Sequence, residues 1–300
     1  MSLLHSVNKL TLITNGDSWT FGSEIVSPEL VNANPDATHV CQYDFYENND
    51  AYRVPRTYPS YLAEKLNANV VNLAWPADDN GSILRRTIDY ITTNYIAANK
   101  STEDLFVVVG WSSPERNSFW FKDDNTSEPF RLWPNVPNFT HTAQEKFWEL
   151  YVAYLWNPEE YLPRFILNCI QLDNFCRSHN IKFLQFNAFY QTPNSNIDTW
   201  QELNIKEELG KLKLSGYQYT DSDSKVRQHN LFDYAATWSN VRNFYKKDQP
   251  NSTFKSFIDN AGLDNPYCTI GQGAGWHPSP EAHAAWAQEL HKYIQENNLL

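Results

Sequence analysis

A chain of 300 residues with a formal net charge of −11 is long enough to bury a substantial core. It is too acidic to be expected to bind nucleic acid or an anionic membrane surface, both of which need positive charge. No apolar run approaches the roughly 18 residues needed to span a bilayer. Met1 to Asn8 hold neither a basic stretch nor a long apolar one, so synthesis in a cytoplasm without a signal peptide is expected.

The predicted elements alternate along the chain. Leu10 to Thr14 is the first strand. Tyr58 to Leu66 is a short helix, and Val70 to Ala74 a second strand. Ser82 to Ile96 reads as a helix with Asn80 or Ser82 at its cap, followed by a third strand from Leu105 to Val109. Two amphipathic helices, Thr142 to Trp156 and Glu159 to His179, precede a fourth strand from Phe183 to Phe186. Trp200 to Leu214 is a charged surface helix, and Gln228 to Phe232 is the weakest strand signal. The last helix has Ser279 at the cap and Pro280 in its first turn, with Trp286, Leu290, Tyr293 and Ile294 along one stripe. The middle strands are near-continuous apolar runs, as strands covered on both faces are.

Strands alternating with helices imply right-handed crossovers and a mostly parallel sheet. The expected fold is therefore an α/β, three-layer α/β/α sandwich around a sheet of about five strands. One domain spans 1–300, with loop insertions near 23–57, 117–140 and 188–275. The cysteines at 41, 169, 176 and 268 show no Cys-x-x-Cys spacing. Cys169 and Cys176, on one helix and about 10 Å apart along it, are too distant to bridge, so buried free thiols are expected. The 11 Trp, 17 Tyr and 17 Phe admit a sugar-stacking surface, but packing of large rings is the favoured reading.

In open parallel sheets the ligand crevice lies at the carboxyl ends of the strands, and four motifs fall there or run into the last helix. The first strand ends on Gly16-Asp17-Ser18. The second is followed by Trp75-Pro76-Ala77-Asp78-Asp79-Asn80, the third by Gly110-Trp111-Ser112-Ser113-Pro114-Glu115-Arg116. The fourth motif is Gly275-Trp276-His277-Pro278 before the last helix. A serine at an early strand end and a histidine in a late loop is a layout for nucleophilic catalysis.

In order and spacing these four blocks resemble those of the SGNH/GDSL hydrolase superfamily, with some variants of the third and fourth blocks similar to those of tailed-bacteriophage proteins. The resemblance implies a flavodoxin-like fold with Ser18 as nucleophile and His277 as base. It implies oxyanion donors at the Ser18 amide, the Ala77 amide (the superfamily has glycine there) and the Ser112 side chain (the superfamily has asparagine). The superfamily's aspartate three residues before the base is replaced here by Ala274. A backbone carbonyl, or a carboxylate such as Asp259, Asp264 or Glu281, is then expected to orient His277.

Trp75, Trp111, Glu115, Arg116 and Trp276 adjoin these blocks and are candidate substrate contacts. Asp17 is read as a turn-stabilising residue and His283 as a structural histidine, since no zinc-binding pattern accompanies it. Asp78 and Asp79 are adjacent, so their side chains diverge, and they read as loop or helix-start charges. The expected activity is a serine esterase acting on an acyl ester, with a small acyl group on a carbohydrate as the leading substrate. No metal or organic cofactor is needed. The alternatives are a glycan-binding or virion structural protein that kept the scaffold and lost efficient turnover, and acyl transfer to a sugar instead of water.

Overall fold

The structure is a computed structural model that describes residues 9–33, 47–119, 130–132, 142–154, 158–189, 217–220, 226–229, 234–247, 249, 252–270 and 273–300. In chain order its elements are β1 (Thr11–Asn15), α1 (Ser18–Phe21), α2 (Pro28–Ala33), α3 (Glu47–Arg53), α4 (Tyr58–Lys65), β2 (Asn69–Asn72), α5 (Asn80–Ile91) and β3 (Leu105–Trp111). They continue with β4 (Asn117–Phe119), β5 (Phe130–Leu132), α6 (Thr142–Tyr154), α7 (Pro158–Ser178) and β6 (Lys182–Asn187). The chain closes with β7 (Tyr217–Thr220), β8 (Val226–His229), α8 (Tyr234–Ser239), α9 (Phe254–Asn260), β9 (Tyr267–Ile270), β10 (Gly273–Pro278) and α10 (Pro280–Glu296). The predicted helix at Trp200 to Leu214 and Cys41 lie outside the described residues.

The central sheet runs β2-β1-β3-β6, every pair parallel. Its two faces can be read from β3, where successive side chains point in opposite directions. Leu105, Val107, Val109 and Trp111 join a core with Ile83, Leu84 and Ile91 of α5 and Phe165, Ile166 and Leu172 of α7. Phe106 and Val108 join the opposite core, with Tyr58 and Leu62 of α4 and Trp286 and Leu290 of α10. The result is the expected three-layer α/β/α arrangement.

The sheet has four strands among the described residues, not about five. The predicted strand at Gln228 to Phe232 overlaps β8, which pairs antiparallel with β7 in a separate hairpin. The outer edge of β6 is met instead by single parallel bridges, Gln185 to Phe244 and Asn187 to Thr253. Gln185 gives its amide to the Asn243 carbonyl at 2.8 Å and accepts from Tyr245 N at 2.7 Å, so this edge is satisfied without a regular strand.

Two helix starts separate the legible from the illegible. α10 begins as read: Ser279 has extended φ and ψ, its hydroxyl accepts from Ala282 N, and Pro280 follows. α5 is capped by Asp79, whose carboxylate accepts from Gly81 N at 2.9 Å and Ser82 N at 3.2 Å, in place of Asn80 or Ser82. Asn80 is withdrawn from capping by a contact across the sheet end, described below. The segment 23–57 contains α2 and α3.

Much of the aromatic content belongs to the second core. Trp286 stacks on Phe254 at 5.0 Å and takes Phe186 and Tyr245 edge-on at 5.2 and 5.0 Å, arrangements that add to the area each ring buries. Cys169 and Cys176 are free and buried in the first core. Burial pushes both thiols up from their ordinary range, so neither is an activated thiolate.

Candidate active site

β1 delivers the chain to the carboxyl edge of the sheet, where Gly16 turns it into α1. Gly16 is demanded by space and not by a left-handed turn: a Cβ there would meet the Thr20 side chain and stand 2.9 Å from the Gly110 carbonyl. Gly110 is equally confined, since its Cβ would stand 2.7 Å from the Phe186 ring. Asp17 caps α1 by accepting from Trp19 N at 3.0 Å, and Ser18 follows as the first residue of the helix, 7% exposed. The Asn72 side chain, from the end of β2, donates to Thr20 O at 3.1 Å and holds the turn from the other side.

Asp17 does more than cap. Its second oxygen accepts from Ser112 Oγ at 2.7 Å and lies 3.3 Å from the Arg116 guanidinium, which also donates to Ser112 Oγ at 2.9 Å. A carboxylate only accepts, so the Ser112 proton is committed to Asp17. This corrects the expected use of Ser112 as an oxyanion donor; here the hydroxyl is a wholly buried link between β1 and β3. Asn80 fixes the same residue by its backbone, giving Nδ2 to Ser112 O at 3.1 Å and accepting from Ser112 N at 2.8 Å.

The other expected contacts divide by exposure. Trp111 is fully buried against Phe165 and donates Nε1 to Gln185 at 3.0 Å, so it belongs to the core and not to a crevice wall. Glu115 is also buried, at 2% exposure, and is excluded from substrate contact for the same reason. Arg116 and Trp75 are half-buried; Trp75 sits edge-on to Phe21 at 6.3 Å. Ala77 has φ 62, the left-handed backbone a glycine would take without strain. The side chain of Trp276 lies outside the described residues.

His277 is carried by β10, against which α1 packs. Beside it lies Glu24, a residue the sequence reading missed. Glu24 Oε2 accepts the His277 backbone N–H at 3.2 Å, and Oε1 lies 3.0 Å from the ring Nδ1, off the line of a ring N–H. The carboxylate is drawn in by the end of α1: Gly22 N and Ser23 N both donate to Ser18 O at 3.0 Å, Gly22 has φ 85, and Glu24 itself has φ 68. A buried non-glycine residue in that region is strained, at about 1–3 kcal/mol. Asp259, Asp264 and Glu281 are exposed, and Asp259 is engaged by Lys255 and Tyr267.

His283 is structural, as read. It accepts from Tyr58 N on Nδ1 at 3.1 Å and stacks on the Tyr58 ring. Burial, helped by nearby His277, lowers its pKa to about 3. Glu115 is shifted the opposite way, its carboxyl raised to about 7 by burial against the weaker pull of Arg116, Ser113 and Arg164.

These shifts have opposing consequences for stability. From pH 6.5 down to 3 the unfolded chain binds a proton at His283 that the native state refuses, so His283 makes stability fall as pH falls. From pH 4.5 up to 7 native Glu115 holds a proton that the unfolded chain has lost, so Glu115 makes stability fall as pH rises. Between pH 4.5 and 6.5 they offset one another. In Glu115→Gln the offset is removed, and unfolding free energy relative to wild type should rise with pH by up to about 1.4 kcal/mol per unit across that window. Urea titrations at pH 5 and 6.5 measure it; a difference between the two proteins that does not change with pH would contradict the assignment.

Among the described residues no group of three or more His, Cys, Asp or Glu could hold a metal ion, and no helix is long and apolar enough to cross a membrane.

In three dimensions the chain is similar to the acetyl xylan esterase Est2A from the rumen bacterium Butyrivibrio proteoclasticus, with 13% identity, 98% of this chain and 66% of that chain covered, and a TM-score of 0.45. It is similar to the psychrotrophic esterase EstA from Pseudoalteromonas sp., with 10% identity, 95% and 97% covered, and a TM-score of 0.41. A carbohydrate esterase family 2 enzyme from Corynascus thermopiles shows 14% identity, 98% and 68% covered, and a TM-score of 0.40. No curated protein matches the chain. Ser18, Glu24 and His277 all fall outside the one segment recognised by a family model, which covers residues 44–215 and so carries β2, β3 and β6. That segment is more than half of the 300 residues, and the chain belongs to the family whose model it matches, described as a family of unknown function (DUF6071).

Proposed function

We propose that this protein is a serine esterase in which Ser18 is the nucleophile and His277 the general base. The observation that carries the reading is the convergence at one end of the sheet: Ser18 opens a helix fixed at both ends, and that helix packs on the strand bearing His277. Ser18 Oγ attacks the acyl carbon while His277 takes its proton and returns it to the leaving alkoxide. Water, deprotonated by the same ring, then releases the acid and restores Ser18.

The negative charge on the tetrahedral oxygen falls to backbone donors. Ser18 N is at the start of α1, where amides have no partner within the helix, and Ala77 N follows the loop from β2. Each such donor contributes typically about 3 kcal/mol to the transition state. Ser112 supports them indirectly by holding Asp17, and through it the start of α1. The half-buried Trp75 and Arg116 offer a flat apolar face and a hydrogen-bond donor beside the turn, suited to the alcohol side of an acylated sugar.

The direct test is acetate release from an acetylated polysaccharide and nitrophenol release from p-nitrophenyl acetate. Turnover of both is expected; rates equal to buffer alone on both would overturn the reading.

A further inference from the structure

We infer that Glu24 is the positioning residue for His277, so that the orienting carboxylate comes from the turn just after the nucleophile's helix instead of from the segment preceding the base. The inference deepens the serine-esterase reading and rests on it.

Three observations converge on Glu24. Its carboxylate is anchored by one oxygen to the His277 backbone N–H at 3.2 Å, which fixes the second oxygen 3.0 Å from Nδ1 of the same residue. Both side chains are shielded, with 6% of the Glu24 side chain and 15% of the His277 side chain exposed. Glu24 also adopts φ 68, a conformation that side chains other than glycine, asparagine and aspartate seldom take. A sequence optimised for the turn alone would place one of those three there.

The chemistry follows from what a carboxylate can do. It has no proton to give, so the ring nitrogen facing it must carry one. That leaves Nε2 with the lone pair that general-base catalysis requires, so that it can take the serine proton. The present contact is off the in-line direction, as catalytic hydrogen bonds often are before substrate closes the site.

Glu24→Gln separates positioning from packing. Glutamine keeps the volume and still accepts the His277 backbone N–H, but it turns an amide NH₂ toward Nδ1. That donor leaves Nδ1 unprotonated and puts the proton on Nε2, the wrong tautomer for a base. The expected result is a fall in kcat of roughly 10³- to 10⁴-fold, by analogy with the serine protease triad, with KM within about threefold of wild type and an unchanged melting temperature. Glu24→Asp, which restores the charge on a shorter arm, should recover part of the lost kcat.

A second measurement needs neither substrate nor a folded variant: long-range ¹H–¹⁵N spectra of the wild type should show neutral His277 protonated on Nδ1. Ser18→Ala is the control. If Ser18→Ala is inactive while Glu24→Gln keeps wild-type kcat, or if wild-type His277 carries its proton on Nε2, the Glu24 assignment falls and the esterase reading survives. If Ser18→Ala keeps wild-type turnover, the esterase reading falls and the role of Glu24 falls with it.

Discussion

Ser18→Ala and His277→Ala should each lower kcat on p-nitrophenyl acetate by about 10⁴-fold or more, and the double variant should lose little beyond either single one. The reason is that nucleophile and base act as a unit: without the base the hydroxyl is not activated, and without the hydroxyl the base has nothing to deprotonate. Residual turnover above buffer would come from the backbone amides of Ser18 and Ala77, which neither substitution removes. Ser18 is one of four residues in a helix held by its Asp17 cap and by the Gly22 and Ser23 amides, so alanine is accommodated and the loss is not a folding effect. The measurement is kcat and KM for the three variants with their melting temperatures. Multiplicative losses in the double variant would mean the two residues act independently, against the account.

Asp17→Ala should cost about 3 kcal/mol of unfolding free energy, the largest stability effect expected at this site. Asp17 is wholly buried, and its loss takes the acceptor from Trp19 N, the acceptor of the Ser112 hydroxyl proton, and the counter-charge of the Arg116 guanidinium, whose side chain is 14% exposed. Breaking a buried charge pair by removing one member typically costs 3–5 kcal/mol, and losing a helix cap about 1 kcal/mol. Arg116 is partly exposed, can turn toward water and keeps its bond to Ser112 Oγ, which brings the sum of about 4–6 kcal/mol down to about 3. Asp17→Asn keeps the cap on Trp19 N but turns an amide NH₂ toward Ser112 Oγ and the Arg116 guanidinium in place of the second carboxylate oxygen, so it should recover only the cap, about 1 kcal/mol of that loss. Urea denaturation of both variants decides; a change below about 0.5 kcal/mol in Asp17→Ala would show that the link between β1 and β3 contributes nothing.

The sheet was legible because β-branched apolar runs and their spacing are local signals. Val107, Val108 and Val109 can hardly be anything but a strand covered on both faces, and the boundaries of β3 and β6 extend the predicted ones by only one or two residues at an end. The cap of α10 was legible for the same reason, since Ser279-Pro280 states its geometry in two residues. What could not be read was every choice made by a partner distant in sequence. Asn80 looks like a cap in isolation, yet it pairs with the Ser112 backbone. Ser112 looks like a donor beside its strand, yet Asp17 claims its proton.

Glu24 is the sharpest case. The expected carboxylates, Asp259, Asp264 and Glu281, are all near His277 in sequence, whereas the side chain beside its ring arrives from 253 positions upstream. The one local hint was a carboxylate shortly after Gly22, where a chain leaving a helix through a left-handed residue turns back on itself.

The central claim, that Ser18 is a nucleophile activated by His277, is tested most directly by covalent labelling. A fluorophosphonate probe should add one equivalent to the wild type, with the modified peptide mapping to Ser18. It should fail to label Ser18→Ala and label His277→Ala at least a hundredfold more slowly, because the hydroxyl is then unactivated. Labelling that persists in Ser18→Ala, or that proceeds at the wild-type rate in His277→Ala, would contradict it.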